Sequence, residues 1–172
     1  GGTAFLGPNG AGKTSLADAV QIALVGAHGN HMHFNAQSVH KDHRSVRDYA
    51  LGTMRSGEGD QGVLARKREE AISYISLVFE GESQADVVSA GVCLHSIATE
   101  KSHRTLGLYI LPGVRLTLED HLGALDEGGK APLDWPTFDA LARRLAKQAG
   151  RTPTLTAKPE TYLNELLHVL QH

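Results

Sequence analysis

Gly7-Pro8-Asn9-Gly10-Ala11-Gly12-Lys13-Thr14 fits the pattern G-x-x-x-x-G-K-[ST], whose chemistry is the gripping of a polyphosphate. A polyphosphate needs many donors in a small concave space, so backbone N–H groups must converge on it. Gly7, Gly10 and Gly12 let the chain bend and approach where a Cβ would intrude. The N–H groups from Asn9 through Ala11 to Thr14 then surround a β-phosphate, and Pro8 counts with them among the nucleotide-binding positions. Lys13 is placed to bridge β- and γ-phosphates, the Thr14 hydroxyl to ligate Mg²⁺, and Ser15 to donate to an α-phosphate.

Such a loop works only between a strand and a helix. Thr3-Ala4-Phe5-Leu6 reads as the strand that enters it, and Ser15 to Val25 as the helix that leaves it. Leu16, Ala19, Val20, Ala23 and Leu24 recur at helical spacing and predict the buried face of that helix. The chain opens without Met, six residues before the loop, and we read it as a segment of a longer polypeptide.

Composition bounds the rest. The 172 residues carry a net charge of −2, so contact with nucleic acid has to come from local patches. No apolar run approaches the roughly 20 residues of a membrane span, and no secretory signal is visible. The single cysteine, Cys93, lies in an apolar run and reads as a buried small hydrophobe in a reducing, cytoplasmic setting.

After the first helix, His28, His31, His33, His40 and His43 crowd a polar loop without any cysteine. A polar loop near the phosphate site is the preferred reading over a metal centre, which needs three or four converging ligands. Lys41 to Gly52 reads as a short helix with Val46, Tyr49 and Ala50 on its apolar side and Arg44 and Arg47 on another. Ser56 to Gly62 reads as a flexible linker, and Arg66-Lys67-Arg68 as a solvated basic cluster.

From Ala71 the period changes to two. Ala71–Phe79, Val87–Ile97 and Thr105–Leu111, joined by short polar turns, predict an antiparallel meander rather than alternating βα units. Leu122 to Glu127 resembles an apolar strand ending in an acidic pair. The glycines at 123, 128 and 129 favour a loop, so Asp126 and Glu127 are not taken as catalytic. Asp134 can cap a helix that has Pro136 in its first turn and stops at Gly150. Phe138, Leu141, Ala142 and Leu145 form its apolar face, Arg143, Arg144 and Lys147 its basic side. An extended stretch from Thr152 to Thr156 leads to a last helix from Pro159, with Tyr162, Leu163, Leu166, Leu167 and Leu170 as its core side.

The run G-P-N-G-A-G-K-T-S-L resembles the phosphate loops of the ABC-type ATPase superfamily, which includes transporters and SMC proteins. A transporter domain would carry an L-S-G-G-Q-like signature and an acidic strand within this length, and no such signature occurs here. In SMC-like proteins a coiled coil moves both elements far downstream. The stretch from Arg44 to Gly52, the strand Ile72 to Phe79, the Gly91-Val92 strand and the Tyr162 to Leu170 helix resemble MukB-like heads, the Wadjet-type JetC ATPases above all.

That resemblance implies an α/β fold, namely the N-terminal half of an ABC/SMC-type P-loop head spanning residues 1–172, with a central P-loop strand and helix, an antiparallel meander and C-terminal helices. It implies ATP and Mg²⁺ as cofactors, with ATP sandwiched between two heads of a homodimer of the full chain. It also implies DNA loop extrusion in chromosome organisation or plasmid defence. The partners would be a kleisin, a winged-helix subunit, DNA and a nuclease subunit, in a nucleoid-associated setting. Arg44, Arg47, Arg143 and Arg144 are the candidates for DNA or inter-head contacts, and Gln61, Gln84 and Gln148 for a γ-phosphate sensor. Two other readings stand beside it: a repair ATPase of the SbcC or RecF kind, and a nucleotide-dependent interaction module without turnover.

Overall fold

The computed structural model describes residues 13–28, 45–52, 54–56, 63–65, 68–83 and 86–171. The strand expected at 3–6 and the loop at 7–12 lie outside these residues. So do His31, His33, His40, His43, Arg44, Gln61, Gln84, Arg66 and Lys67.

The centre is an antiparallel sheet of four strands in the order β3 (Glu70–Phe79), β4 (Val88–Ile97), β5 (Arg104–Pro112) and β8 (Thr154–Thr156). The meander read from the period-two pattern is therefore present, within one or two residues at each end. Ten residues of β3 pair in register with ten of β4, from Glu70 opposite Ile97 to Phe79 opposite Val88. Between β4 and β5 the register slips at Cys93/Leu94, leaving Leu106 as an extra residue on β5.

Alternation sorts β4 and β5 onto two faces. Val88, Ala90, Val92, Leu94, Leu108 and Ile110 meet helices α1 (Lys13–Leu24), α2 (Val46–Leu51) and α4 (Pro159–Leu170) through Ile22, Val46, Tyr162 and Leu166. Tyr109 and Leu111 meet α3 (Trp135–Gln148) on the other face, through Phe138 and Ala142, with Val114 and Leu116 alongside. Helices thus cover both sides of the central strands, which is why these strands read as almost continuously apolar.

The second face is built on close approach. Four of the nine Phe, Tyr and Trp residues of the chain gather there: Tyr74, Tyr109, Trp135 and Phe138. The Phe138 ring centroid lies 4.9 Å from those of both Tyr74 and Tyr109 and stacks on His121 at 5.2 Å. Room for the rings comes from glycine. A Cβ on Gly91 would strike the Tyr109 phenol and the Ile75 carbonyl, and one on Gly107 the Trp135 indole. Cys93, fully buried, is an inert core thiol whose pKa burial pushes up to about 11.

Two buried polar side chains here, Ser89 and His121, are paired. Ser89 Oγ donates to the Val114 carbonyl at 2.8 Å and accepts from the Leu116 N–H at 2.9 Å. His121 Nδ1 donates to the Thr117 carbonyl at 2.8 Å, which fixes the neutral tautomer and leaves Nε2 to accept from the Tyr109 hydroxyl at 3.1 Å. Burial holds the His121 pKa below its ordinary 6.5, against smaller upward pulls from Thr117 and Asp120.

Five expectations need correction. The helix expected from Lys41 starts no earlier than Val46, because Ser45 is extended and caps it, its Oγ accepting from the Asp48 N–H at 3.1 Å. It ends as expected at Gly52, whose φ of 66° suits glycine. The stretch read as a linker from Ser56 to Gly62 begins inside a strand, since Ser56 ends β1 (Met54–Ser56), which pairs with β2 (Val63–Ala65); residues 57–62 lie outside the described residues. Strands of three residues are too short to leave a periodic signal. Likewise Leu122 to Pro132 is a hairpin, β6 (Leu122–Ala124) with β7 (Lys130–Pro132), rather than a loop. Gly128 and Gly129 take φ of 87° and 90° in its turn, so the glycines tighten the hairpin instead of abolishing it.

The apolar face predicted for α1 is rotated, with Leu16 and Leu24 exposed by 46% and 38% while Asp18, Ile22 and Ala23 are buried. The core side of α4 is narrower than predicted, because Tyr162 and Leu166 are buried but Leu167 and Leu170 are exposed by 59% and 43%. By contrast α3 follows its reading closely. Asp134 accepts from the Thr137 N–H at 2.8 Å, and Phe138 and Ala142 are buried. No described helix is long and apolar enough to cross a membrane.

Two tests follow from this packing. Gly91→Ala should destabilise by about 1–3 kcal/mol, the cost of overpacking; a denaturation midpoint equal to wild type would show that the Tyr109 ring is free to move. Because His121 binds a proton less readily folded than unfolded, its contribution is complete above pH 6.5 and is lost as pH falls below that value. The thermal midpoint should therefore drop on acidification, and His121→Gln should flatten the drop. An unchanged slope in the variant would assign the acid sensitivity elsewhere.

Candidate nucleotide site

Of the phosphate motif, α1 is the described element. Thr14, Ser15, Leu16 and Ala17 are exposed in and just after its first turn, and no acidic residue occupies that turn. Within that turn the partial positive charge of the helix start is therefore not offset by an acidic side chain. From Asp18 onward the helix turns inward: Asp18 is 4% exposed, and Ile22 and Ala23 are fully buried. Tyr49 of α2 lies close enough to Asp18 for that carboxylate to add to burial in raising the tyrosine pKa.

The far end of α1 is clamped. Gly26 and Ala27 both take left-handed φ, 64° and 56°, and the Ala27 N–H returns to the Ile22 carbonyl at 2.8 Å. Only glycine fits at 26, where a Cβ would come within 3.1 Å of the Tyr162 ring and 3.3 Å of Leu108. The Tyr162 hydroxyl, buried in α4, donates to the Ala23 carbonyl at 2.8 Å. His103, in the turn between β4 and β5, hydrogen-bonds the Ala27 backbone; burial still keeps its pKa below the ordinary 6.5.

Arg47 sits beside this clamp and is engaged in it. Its guanidinium donates to the Glu100 carbonyl at 2.5 Å and to the Asp48 carboxylate at 2.8 Å, tying α2 to the same turn. Burial raises the Asp48 pKa, but hydrogen bonds from Ser45 and Arg47 outweigh it and leave the carboxyl below the usual range. Arg143 and Arg144 lie on α3, across the sheet from α1 and α2. Arg143 pairs with Asp139 one turn before it, at 2.7 Å, and Gln148 ends the same helix. The three described arginine candidates are thus not brought together. Asp126 and Glu127 are exposed in the β6–β7 turn, as surface residues rather than an acidic strand end.

Residues 1–41 match the family model of the P-loop containing region of AAA domain. This match indicates a P-loop NTPase-like region in this part of the chain. No characterised protein and no solved structure matches the chain. Of the matched segment, the described part is α1 and its C-terminal turn, the helix of the strand–loop–helix order that the motif demands. Among the described residues no group of His, Cys, Asp and Glu is placed to hold a metal ion.

Two features of the region escaped the sequence reading. Asp18 is an acid in an apolar helix, and its i, i+4 spacing to Ile22 marks the buried line; the leucines at 16 and 24 masked it. Tyr162 was legible as core, but nothing in its spacing shows that its hydroxyl caps another helix 139 residues away. Tyr162→Phe should cost about 1 kcal/mol, the net worth of one buried hydrogen bond, and should raise amide exchange at the C-terminal end of α1. Exchange that rises uniformly along the helix would mean that the clamp is not local.

Proposed function

We propose that this chain binds ATP with Mg²⁺ and forms the N-terminal part of an SMC-like head of the ABC superfamily, MukB-like and most resembling the Wadjet-type JetC ATPases. The observation that carries the reading is the P-loop region at 1–41 whose helix lies on an antiparallel meander, with α4 packed on the same face. A Ras-like or flavodoxin-like domain would place parallel βα units there.

The described residues fit the cofactor. The first turn of α1 is open, free of acid and carries exposed hydroxyls at Thr14 and Ser15, as a phosphate with its Mg²⁺ requires. Gly7 to Thr14 with Ser15 would hold the nucleotide, with Lys13 on the γ-phosphate and Thr14 on the metal. Complete turnover would need a second head and the signature and acidic strand of the remaining polypeptide. Driven by ATP, engagement and release of two heads would extrude DNA loops, with kleisin, winged-helix and nuclease subunits as partners.

In the full-length protein Lys13→Ala should weaken Mg-ATP binding by about a hundredfold, as loss of a charge-assisted contact predicts, and abolish single-turnover hydrolysis. Wild-type affinity in that variant would remove the site. Normal ATP binding with no hydrolysis by the wild-type protein would instead favour a nucleotide-dependent interaction module.

A further inference from the structure

The face of α3 turned away from the sheet carries a groove that the nucleotide reading does not use. It is open, has a volume of about 620 Å³, and is lined by Leu133, Pro136, Thr137, Ala140, Leu141 and Arg144. Five of these fall at i, i+1, i+4, i+5 and i+8 on α3, a straight stripe about 12 Å long at 1.5 Å per residue. Its floor is apolar or small, with Pro136, Thr137 and Ala140 exposed. Small residues let a second helix come close enough for ridges to enter grooves.

One end of the groove is cationic. The charge of Arg143 is met by Asp139. Arg144 and, one turn on, Lys147 are exposed and have no ion-pair partner among the described residues.

We propose that this groove docks an amphipathic helix of a partner protein, its apolar stripe on Leu133, Pro136, Ala140 and Leu141 and its carboxylates opposite Arg144 and Lys147. Charge complementarity selects an acidic occupant, and the floor selects a protein. A nucleic acid held through its phosphates gains from many cations and gains nothing from leucine and proline; this stripe offers two cations and four apolar side chains. A second copy of this chain fits poorly. Among the described residues its exposed large apolar helix side chains, Leu16 and Leu24 of α1 and Leu167 and Leu170 of α4, belong to helices on the opposite face of the sheet from α3. Such a contact would be head-to-tail and would not close into a dimer. The inference stands apart from the ATP reading, because none of these residues belongs to the P-loop region.

The test is a photo-crosslinking amino acid, benzoylphenylalanine, placed at Ala140 of the full-length protein in the cells that make it, with the adduct mapped by mass spectrometry. The expected adduct maps to a segment of another protein with apolar residues at i, i+3, i+4 and i+7 and flanking Asp or Glu. Arg144→Glu combined with Lys147→Glu should lower its yield at least about tenfold, a loss of about 1.4 kcal/mol, and Arg144→Lys should retain it. Exchanging the acidic residues of the captured segment for Lys should restore capture by the doubly reversed protein. An adduct to nucleic acid, to another copy of this chain or to a basic segment would overturn the proposal. So would no adduct, or a yield indifferent to charge reversal. These side chains are exposed, and an unchanged thermal midpoint in each variant shows that the fold is not what was lost.

Discussion

A helix that must offer its first turn to a phosphate cannot be held there, because any packing over that turn would close the site. α1 is held instead from its middle and its far end. Ile22 and Ala23 sink into the sheet, Ala27 closes back onto Ile22, and the Tyr162 hydroxyl takes the Ala23 carbonyl. The first turn is left exposed, with Thr14 and Ser15 at the surface. Fixing one end of a rigid rod positions the other, so contacts along and beyond α1 orient the residues that would meet a triphosphate. The same clamp joins segments distant in sequence: α4, the β4–β5 turn through His103, and α2 through Arg47 and Glu100.

That clamp needs a stiff base, which the sheet supplies by burying β4 and β5 on both faces. Double burial makes an unpaired polar atom costly, and although Ser96 Oγ has no partner among the described residues, two other groups are well satisfied. Ser89 satisfies the chain at 114–116, and His121 accepts from Tyr109 while donating to Thr117. Packing on the α3 face is achieved with few aromatic residues because two of the four rings lie over glycines, Tyr109 over Gly91 and Trp135 over Gly107. Interiors packed at crystal-like density transmit displacement rather than absorb it, so the two helix layers are mechanically connected through Gly91 and Tyr109.

Legibility in the sequence followed the length over which a pattern could repeat. The three strands of nine or ten residues are long enough to be read, β3 by its alternation and β4 and β5 by their apolar runs, and α3 advertises both its cap and its buried stripe. Strands of three residues, as in β1–β2 and β6–β7, repeat too briefly, and the glycines that shape the β6–β7 turn read as breaks. The faces of α1 and α4 were misplaced for a different reason. Both helices are apolar around much of their circumference, so spacing does not say which side meets the sheet. Tertiary contact decided it, burying Asp18 rather than Leu16, and Tyr162 rather than Leu167. The phosphate loop itself is read from residue types and from the match over 1–41, and the described residues supply its exit helix alone.

The arginines show how far a charge in a sequence is from a charge at a surface. Arg47 and Arg143 look alike on paper as exposed helix cations, yet each is neutralised by a carboxylate one or four residues away, and Arg47 also holds a carbonyl across the turn. What remains for an external anion on α3 is Arg144 with Lys147, beside an apolar floor and across the sheet from the phosphate motif. The two faces of the sheet therefore carry different electrostatic business: a helix start open to phosphate on one, a cationic groove suited to an acidic helix on the other. The two faces share their strands: β3 sends Tyr74 to one and Ile75 to the other, as β4 and β5 do with the residues around the glycine–aromatic packing.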